Sequence, residues 1–181
     1  MKKLLRVSGL PAVTALLAVA PERVEQLFFD NRVQPHVAEL CAKLARMRRP
    51  YRLAGTDELD RIASTMLHGG IVALAQPRPV SPIDPKLAKT WAADGRLLLL
   101  LDGVGNPHNL GAIARTAAFF GVPRIVLSDH PAQAGPSDAS YRVAEGGLEY
   151  VELFRGLRFV HVLSSLRESY RIVATATDGD P

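Results

Sequence analysis

Leu97-Leu98-Leu99-Leu100-Leu101 runs straight into Asp102-Gly103-Val104-Gly105-Asn106-Pro107-His108-Asn109, then into Leu110-Gly111-Ala112-Ile113-Ala114-Arg115-Thr116-Ala117-Ala118-Phe119-Phe120. Five consecutive leucines are too apolar for a strand with one wet face, so they read as a strand covered on both sides, as in parallel sheets. The turn and the apolar run Leu110 to Phe120 then read as a loop and a helix, the first β-α unit of an open parallel sheet. The turn fails as a dinucleotide fingerprint, because His108 stands where G-x-G-x-x-G needs its third glycine. Asn109 is placed to cap the helix. The helix is apolar nearly all round and is expected to be covered on both faces, with Arg115 as its one charge. Such an arginine needs a partner, opens onto a site, or snorkels to a surface ion pair.

The same alternation continues towards the C-terminus. A strand at Arg124–Leu127, a helix from about Ser137 to Ala144, a strand at Tyr150–Leu153, a helix from Arg155 to Ser169 and a strand at Arg171–Ala174 give four strands and three helices, a doubly wound sheet. Such sheets bind ligands at the carboxyl ends of their strands, which places a pocket at Thr175, Ala176 and Thr177. Towards the N-terminus lies Gln76–Pro85, with four prolines in ten residues, which reads as a stiff linker. Before it, strands at Leu4–Val7, Val24–Phe29, Tyr51–Leu53 and Gly70–Ala75 alternate with helices at Ala12–Val19, about Pro35–Met47 and Asp57–Met66, a small α/β domain. The expected organisation is a first domain over 1–76, a Pro-rich linker over 77–92 and a second domain over 93–181.

Composition supports a folded chain: 48% of the 181 residues are hydrophobic and 22% charged, which excludes disorder and charge-rich tails. The single cysteine makes no intrachain disulfide, the five histidines are scattered, no metal site is expected, and a reducing, cytoplasmic setting is implied. Lys2 and Lys3 before an apolar stretch imitate a secretory signal, but Arg6, Ser8, Gly9 and Pro11 interrupt it and it is far short of a membrane span. Charge is uneven: residues 1–80 hold twelve Lys+Arg against seven Asp+Glu, residues 81–181 ten against eleven. The densest stretch, Lys43, Arg46, Arg48, Arg49 and Arg52 with Tyr51 interleaved, has no acid from Ala42 to Gly55. It suits a phosphate backbone, and equally a solvated basic helix end.

The run from Asn106 resembles the first signature of the SpoU-type (SPOUT superfamily) RNA ribose 2′-O-methyltransferases, N-P-x-N-x-G-x-x-x-R-t-A, matched by Asn106, Pro107, Asn109, Gly111, Arg115, Thr116 and Ala117. Residues from about Val7 to Ala75, with Gly9, Ala12-Val13 and His68-Gly69-Gly70, are similar to the family's ribosomal-protein-like substrate-binding domain. Arg142-Val143-Ala144-Glu145-Gly146-Gly147 is similar to one branch, where many members have S-x-G-A at Ala144 to Gly147. The resemblance implies methyl transfer from S-adenosylmethionine to a ribose 2′-hydroxyl of rRNA or tRNA, by a homodimer without membrane attachment. It assigns the chemistry to Arg115 with Asn109, and puts the donor pocket at Thr175, Ala176 and Thr177. The basic stretch would grip RNA. Glu145 would touch substrate or pair with Arg142. The family's G-x-E-x-x-G and S-L-N-V-S signatures, which wrap the donor in a trefoil knot, lie beyond the fourth strand. The chain is therefore expected to be a fragment with an incomplete Rossmann-like SPOUT domain, inactive by itself.

Two other classes fit parts of the sequence. A non-catalytic RNA-binding module, or a truncated relative, uses the same basic first half. An NAD enzyme would use Asp129 as the ribose-binding acid at the end of the second strand, without the glycine fingerprint.

Overall fold

The computed structural model describes residues 3–93 and 95–175. The N-terminal half runs β1 (Leu5–Ser8), α1 (Leu10–Val19), β2 (Val24–Phe29), α2 (Ala38–Arg46), β3 (Tyr51–Leu53), α3 (Thr56–Ala63) and β4 (Ile71–Ala75). Its four strands lie in the order β1-β4-β2-β3. β4 is antiparallel to both its neighbours, and β2 and β3 are parallel across the α2 crossover.

The C-terminal half holds β5 (Ser81–Pro82), α4 (Pro85–Ala92), β6 (Leu98–Leu101), α5 (Pro107–Phe119), β7 (Arg124–Ser128), α6 (Asp138–Ala144), α7 (Gly147–Tyr150), β8 (Glu152–Gly156) and α8 (Phe159–Leu166). The sheet is all parallel in the order β5-β8-β7-β6. Side chains alternate across a strand, and here both sets are covered. Leu99, Leu101, Ile125, Leu127 and Leu153 pack with α5, α6 and α7, whereas Leu98, Leu100, Val126 and Phe154 meet Trp91 of α4 and Phe159, Val162 and Leu166 of α8. Leu98–Leu101 is thus a strand with two covered faces, as its composition requires, whereas Leu97 lies before the strand and largely in solvent.

Two expectations need correction. The stretch 77–92 is pinned along its length: Arg78 Nη1 donates to Val151 O (3.1 Å), Ser81–Pro82 pairs with β8, Ile83 N–H donates to Arg155 O (2.8 Å), and Asp84 caps α4 through Lys86 N–H (2.9 Å). Proline is tolerated there because β5 is an edge strand. Arg171–Ala174 does not form a strand. Tyr170 donates its hydroxyl to Ala88 O (3.0 Å), and with Ile172 packs on the α4–α8 layer, away from the ladders a strand needs.

The two halves share one core. Val13, Leu16 and Leu17 of α1 belong to the same buried cluster as Leu110, Ala114, Tyr141, Ala144 and Leu148. The outer edge of β1 is covered by α6: Asp138 accepts from Arg6 N–H and from Arg6 Nη1, both at 3.0 Å. Deeper, Arg23 Nη1 donates to Glu149 Oε2 (2.7 Å), with 11% and 1% of the two side chains exposed, while Nη2 lies 3.4 Å from Tyr141 Oη and Nε donates to Gln76 O (2.9 Å). Among the described residues no helix is long and apolar enough to cross a membrane.

Removing one partner of a buried ion pair strands the other and costs about 3–5 kcal/mol. Arg23→Ala is expected to lower unfolding stability by about 3 kcal/mol at neutral pH, with both halves melting in one transition in urea. Burial lifts the Glu149 carboxyl above its ordinary value, against the pull of Arg23. The folded chain therefore holds that proton more tightly than the unfolded chain, and this group makes the fold lose stability as pH rises from the ordinary carboxyl value through its folded one. The Arg23→Ala deficit should accordingly shrink on acidification through that range, because a neutral Glu149 needs no cation.

Candidate functional site

α5 starts earlier than the apolar run suggests, because Asn106 is its cap. The Asn106 side chain accepts from His108 N–H (2.8 Å), and Pro107 opens the helix, where its missing N–H costs nothing. The cap is thus Asn106, not Asn109. Asn109 instead lies in the first turn, exposed, on a stripe with His108, Arg115, Thr116, Phe119 and Phe120. Leu110, Gly111, Ala114 and Ala117 face inward. The expectation of a helix covered all round fails on that stripe: Phe119 and Phe120 stack edge to face (5.1 Å) with most of their surface in solvent. Arg115 is likewise not buried, with half its side chain exposed, and so carries no unpaired-charge penalty.

What stands beside Arg115 is the turn between α6 and α7. Glu145 takes a left-handed backbone (φ 48°), and its Oε2 lies 3.4 Å from Arg115 Nη1. The pair expected with Arg142 is replaced by this one across helices, since the left-handed step ends α6 at Ala144 and sends the Glu145 side chain to α5. Two glycines permit the approach. A Cβ at Gly147 would fall 2.6 Å from Arg115 Cα, and one at Gly111 would fall 2.4 Å from Ser140 O. The motif glycine is thus a packing requirement where α5 crosses α6.

The basic stretch is divided by its partners. Lys43 donates to Leu17 O at the end of α1, Arg49 is paired with Glu25, and Arg52 is paired with Glu58 while lying 4.9 Å over the Phe28 ring. The Glu58 carboxyl is lowered by its hydrogen bonds from Arg52. Arg46, whose Nε donates to Ala42 O of its own helix (3.3 Å), and Arg48, at a left-handed position, point to solvent. The partners, Leu17 O, Glu25 and Glu58, lie outside the acid-free window, so sequence proximity concealed them.

Over the carboxyl ends of β6 and β7 opens a cleft of about 640 Å³, lined by Asp102, Asp129, His130, Phe159, Val160 and His161 among others. Asp129 is committed to the start of α8, accepting from Arg158 N–H (2.6 Å) and Phe159 N–H (3.3 Å), and these bonds hold its carboxyl below the ordinary range. Asp129 thus has a structural task of its own, capping α8, besides the ribose-binding one that its position suggested. Thr175 is exposed, and Ala176 and Thr177 lie outside the described residues. Among the described residues no three His, Cys, Asp or Glu side chains are placed to hold a metal ion.

A parallel sheet wound on both faces, with a cleft at its strand ends, and a mixed α/β domain fused to it by one core define a two-part α/β protein. The chain belongs to the SpoU rRNA Methylase family: residues 96–181 match that family's pattern, and residues 6–80 match the RNA 2′-O ribose methyltransferase substrate-binding pattern. It is 34% identical over 177 residues to the 23S rRNA (guanosine-2′-O-)-methyltransferase RlmB of Escherichia coli strain K12, covering 95% of this chain and 71% of that one. It is 33% identical over 174 residues to the uncharacterized tRNA/rRNA methyltransferase YfiF of Escherichia coli O157:H7, covering 96% of this chain and 49% of that one. It thus spans about half the length of YfiF and of a similar Haemophilus influenzae protein. The crystal structure of an rRNA methyltransferase from Sinorhizobium meliloti has the same fold, with a TM-score of 0.69 at 20% identity over 93% of this chain and 60% of that one.

Gly111→Ala would force α5 off α6, and overpacking of this kind costs about 1–3 kcal/mol. A lowered urea midpoint with an unchanged m-value is the expected result, whereas Ala112→Gly, one position away, should cost only the helix-propensity difference of about 1 kcal/mol.

Proposed function

We propose that the full-length protein transfers a methyl group from S-adenosylmethionine to a ribose 2′-hydroxyl of rRNA or tRNA in the cytoplasm, as a homodimer. The observation that carries this is the placement of the motif: Asn109 and Arg115 share one exposed stripe of α5, with Glu145 beside the guanidinium. The strand-end cleft suits the donor chemically. Phe159 and Val160 offer apolar surface for a base, and Asp102 offers a carboxylate for a diol or a cation. The donor supplies an electrophilic methyl on a sulfonium.

Displacement at a methyl group is in line, so the chain's own work is to hold the hydroxyl on that line and to manage its proton. Arg115, with a guanidinium that does not deprotonate, is no general base. Its planar fork orients the hydroxyl and stabilises the charge developing on that oxygen as the methyl passes from sulfur to it; the sulfonium leaves as a neutral thioether, and the hydroxyl proton passes to solvent water, to which this stripe is open. Asn109, on the first turn of the same exposed side of α5, offers an amide to the substrate. Arg46 and Arg48 meet the RNA backbone. Lys43, Arg49 and Arg52 serve chiefly to fix the N-terminal domain.

Arg115→Ala in the full-length protein is expected to lower single-turnover methylation roughly 100- to 1000-fold. Melting temperature and donor affinity should hardly move, since the side chain is exposed. Arg115→Lys should recover only part of the rate. A folded Arg115→Ala protein with normal turnover would refute the assignment. RNA binding without methyl transfer by the wild type would leave an RNA-binding module.

For the basic stretch, Arg46→Ala with Arg48→Ala should weaken RNA binding across sequences and reduce the salt slope by about two, one per lost phosphate contact. Arg49→Ala should instead act on thermal stability. A filter-binding titration over salt concentration, beside a melting curve, separates the two.

A further inference from the structure

Arg115 reaches into solvent, and among the described residues the ion-pair partner of its guanidinium is Glu145, from the turn between α6 and α7. The pair is too exposed to add much to stability, so its value lies in orientation. Glu145 occupies a left-handed backbone (φ 48°), a conformation glutamate adopts only under strain, where glycine would be at ease. The turn that holds it there is clamped on two sides. A Cβ at Gly146 (φ 98°) would fall 2.6 Å from Ala15 Cβ and 3.2 Å from Pro11 O of α1, and a Cβ at Gly147 would fall 2.6 Å from Arg115 Cα of α5. The N-terminal domain thus touches the turn one residue from Glu145, and α5 touches it two residues from Glu145.

We propose that Glu145 is a positioning residue. Its carboxylate sets the aim of Arg115, through a turn whose place is fixed by α1, so the docking of the N-terminal domain and the geometry of the reacting hydroxyl are coupled. The inference rests on Arg115 acting as described under Proposed function. RNA seated on the N-terminal domain reports to Arg115 through the contact of Pro11 and Ala15 with Gly146, over three successive residues of one turn.

The test uses Glu145→Gln, Glu145→Asp and Glu145→Gly. In the 181-residue chain, the Arg115 Nε–H order parameter measured by NMR should fall in the Gln and Gly variants and be partly restored in the Asp variant. In the full-length gene product, single-turnover methylation should fall roughly ten- to a hundredfold with Gln or Gly, the scale of a misplaced reacting group. RNA affinity should stay unchanged, and Asp should recover part of the rate. Glu145→Gly gives the opposite sign in stability, a melting temperature equal to or above the parent, because glycine relieves the left-handed strain. An unchanged Arg115 order parameter in the Gln and Gly variants overturns the proposal, as does a rate loss that only follows a lowered melting temperature. If the order parameter falls but neither Glu145 nor Arg115 variants alter methylation, the catalytic reading of Arg115 fails while the positioning contact stands. If Arg115→Ala abolishes transfer and Glu145→Gln leaves it intact, the positioning role fails alone.

Discussion

At Gly111, Gly146 and Gly147, backbones of α5, α1 and the α6–α7 turn come closer than any side chain allows. Much of the arrangement follows from this contact. With no Cβ at Gly111, α6 lies against α5. With none at Gly147, the turn after α6 reaches the backbone of Arg115, and with none at Gly146 it also receives α1. The buried cluster can then run from Val13 and Leu16 through Ala114 and Ala144 to Ile125 without a seam between domains.

Charge is used in two ways around this contact. Arg23 and Glu149 are buried together, so either alone is costly, and the pair locks the turn that leads into β2 to α7. Arg115 and Glu145 are half in water, where an ion pair adds little energy but still biases direction. The first kind fixes the frame, and the second, on the function proposed above, aims a group at the substrate.

Much of the fold was legible in the sequence because periodicity reports burial. The leucines at 97–101 and the alternation that follows gave the parallel sheet, and the motif at 106–117 placed Asn109 and Arg115 on one helix. Asn106-Pro107 and Asp84-Pro85 were legible and misread, since each is a cap followed by a proline at the first helical position. Read so, they start α5 and α4, the second inside a stretch whose prolines suggested a linker. The partners of Lys43, Arg49 and Arg52, and the Glu145–Arg115 pair, are tertiary, and no local pattern announces them. Arg171–Ala174 has a strand's composition, but a strand is made by its neighbour in the ladder, and Tyr170 leads the chain to α4 instead.

The cover that Asp138 gives to the edge of β1 bears on how the chain can be divided. Two sequence patterns meet near the Pro-rich stretch, which invites a cut there to obtain each part by itself. The first part would then present to solvent an unpaired strand edge together with the apolar side of α1, and the second would present the facing surface of α6 and α7. Exposed edges and apolar faces are templates for self-association. Each part is therefore the cover of the other's exposed edge and apolar face, and a cut between them removes both covers at once.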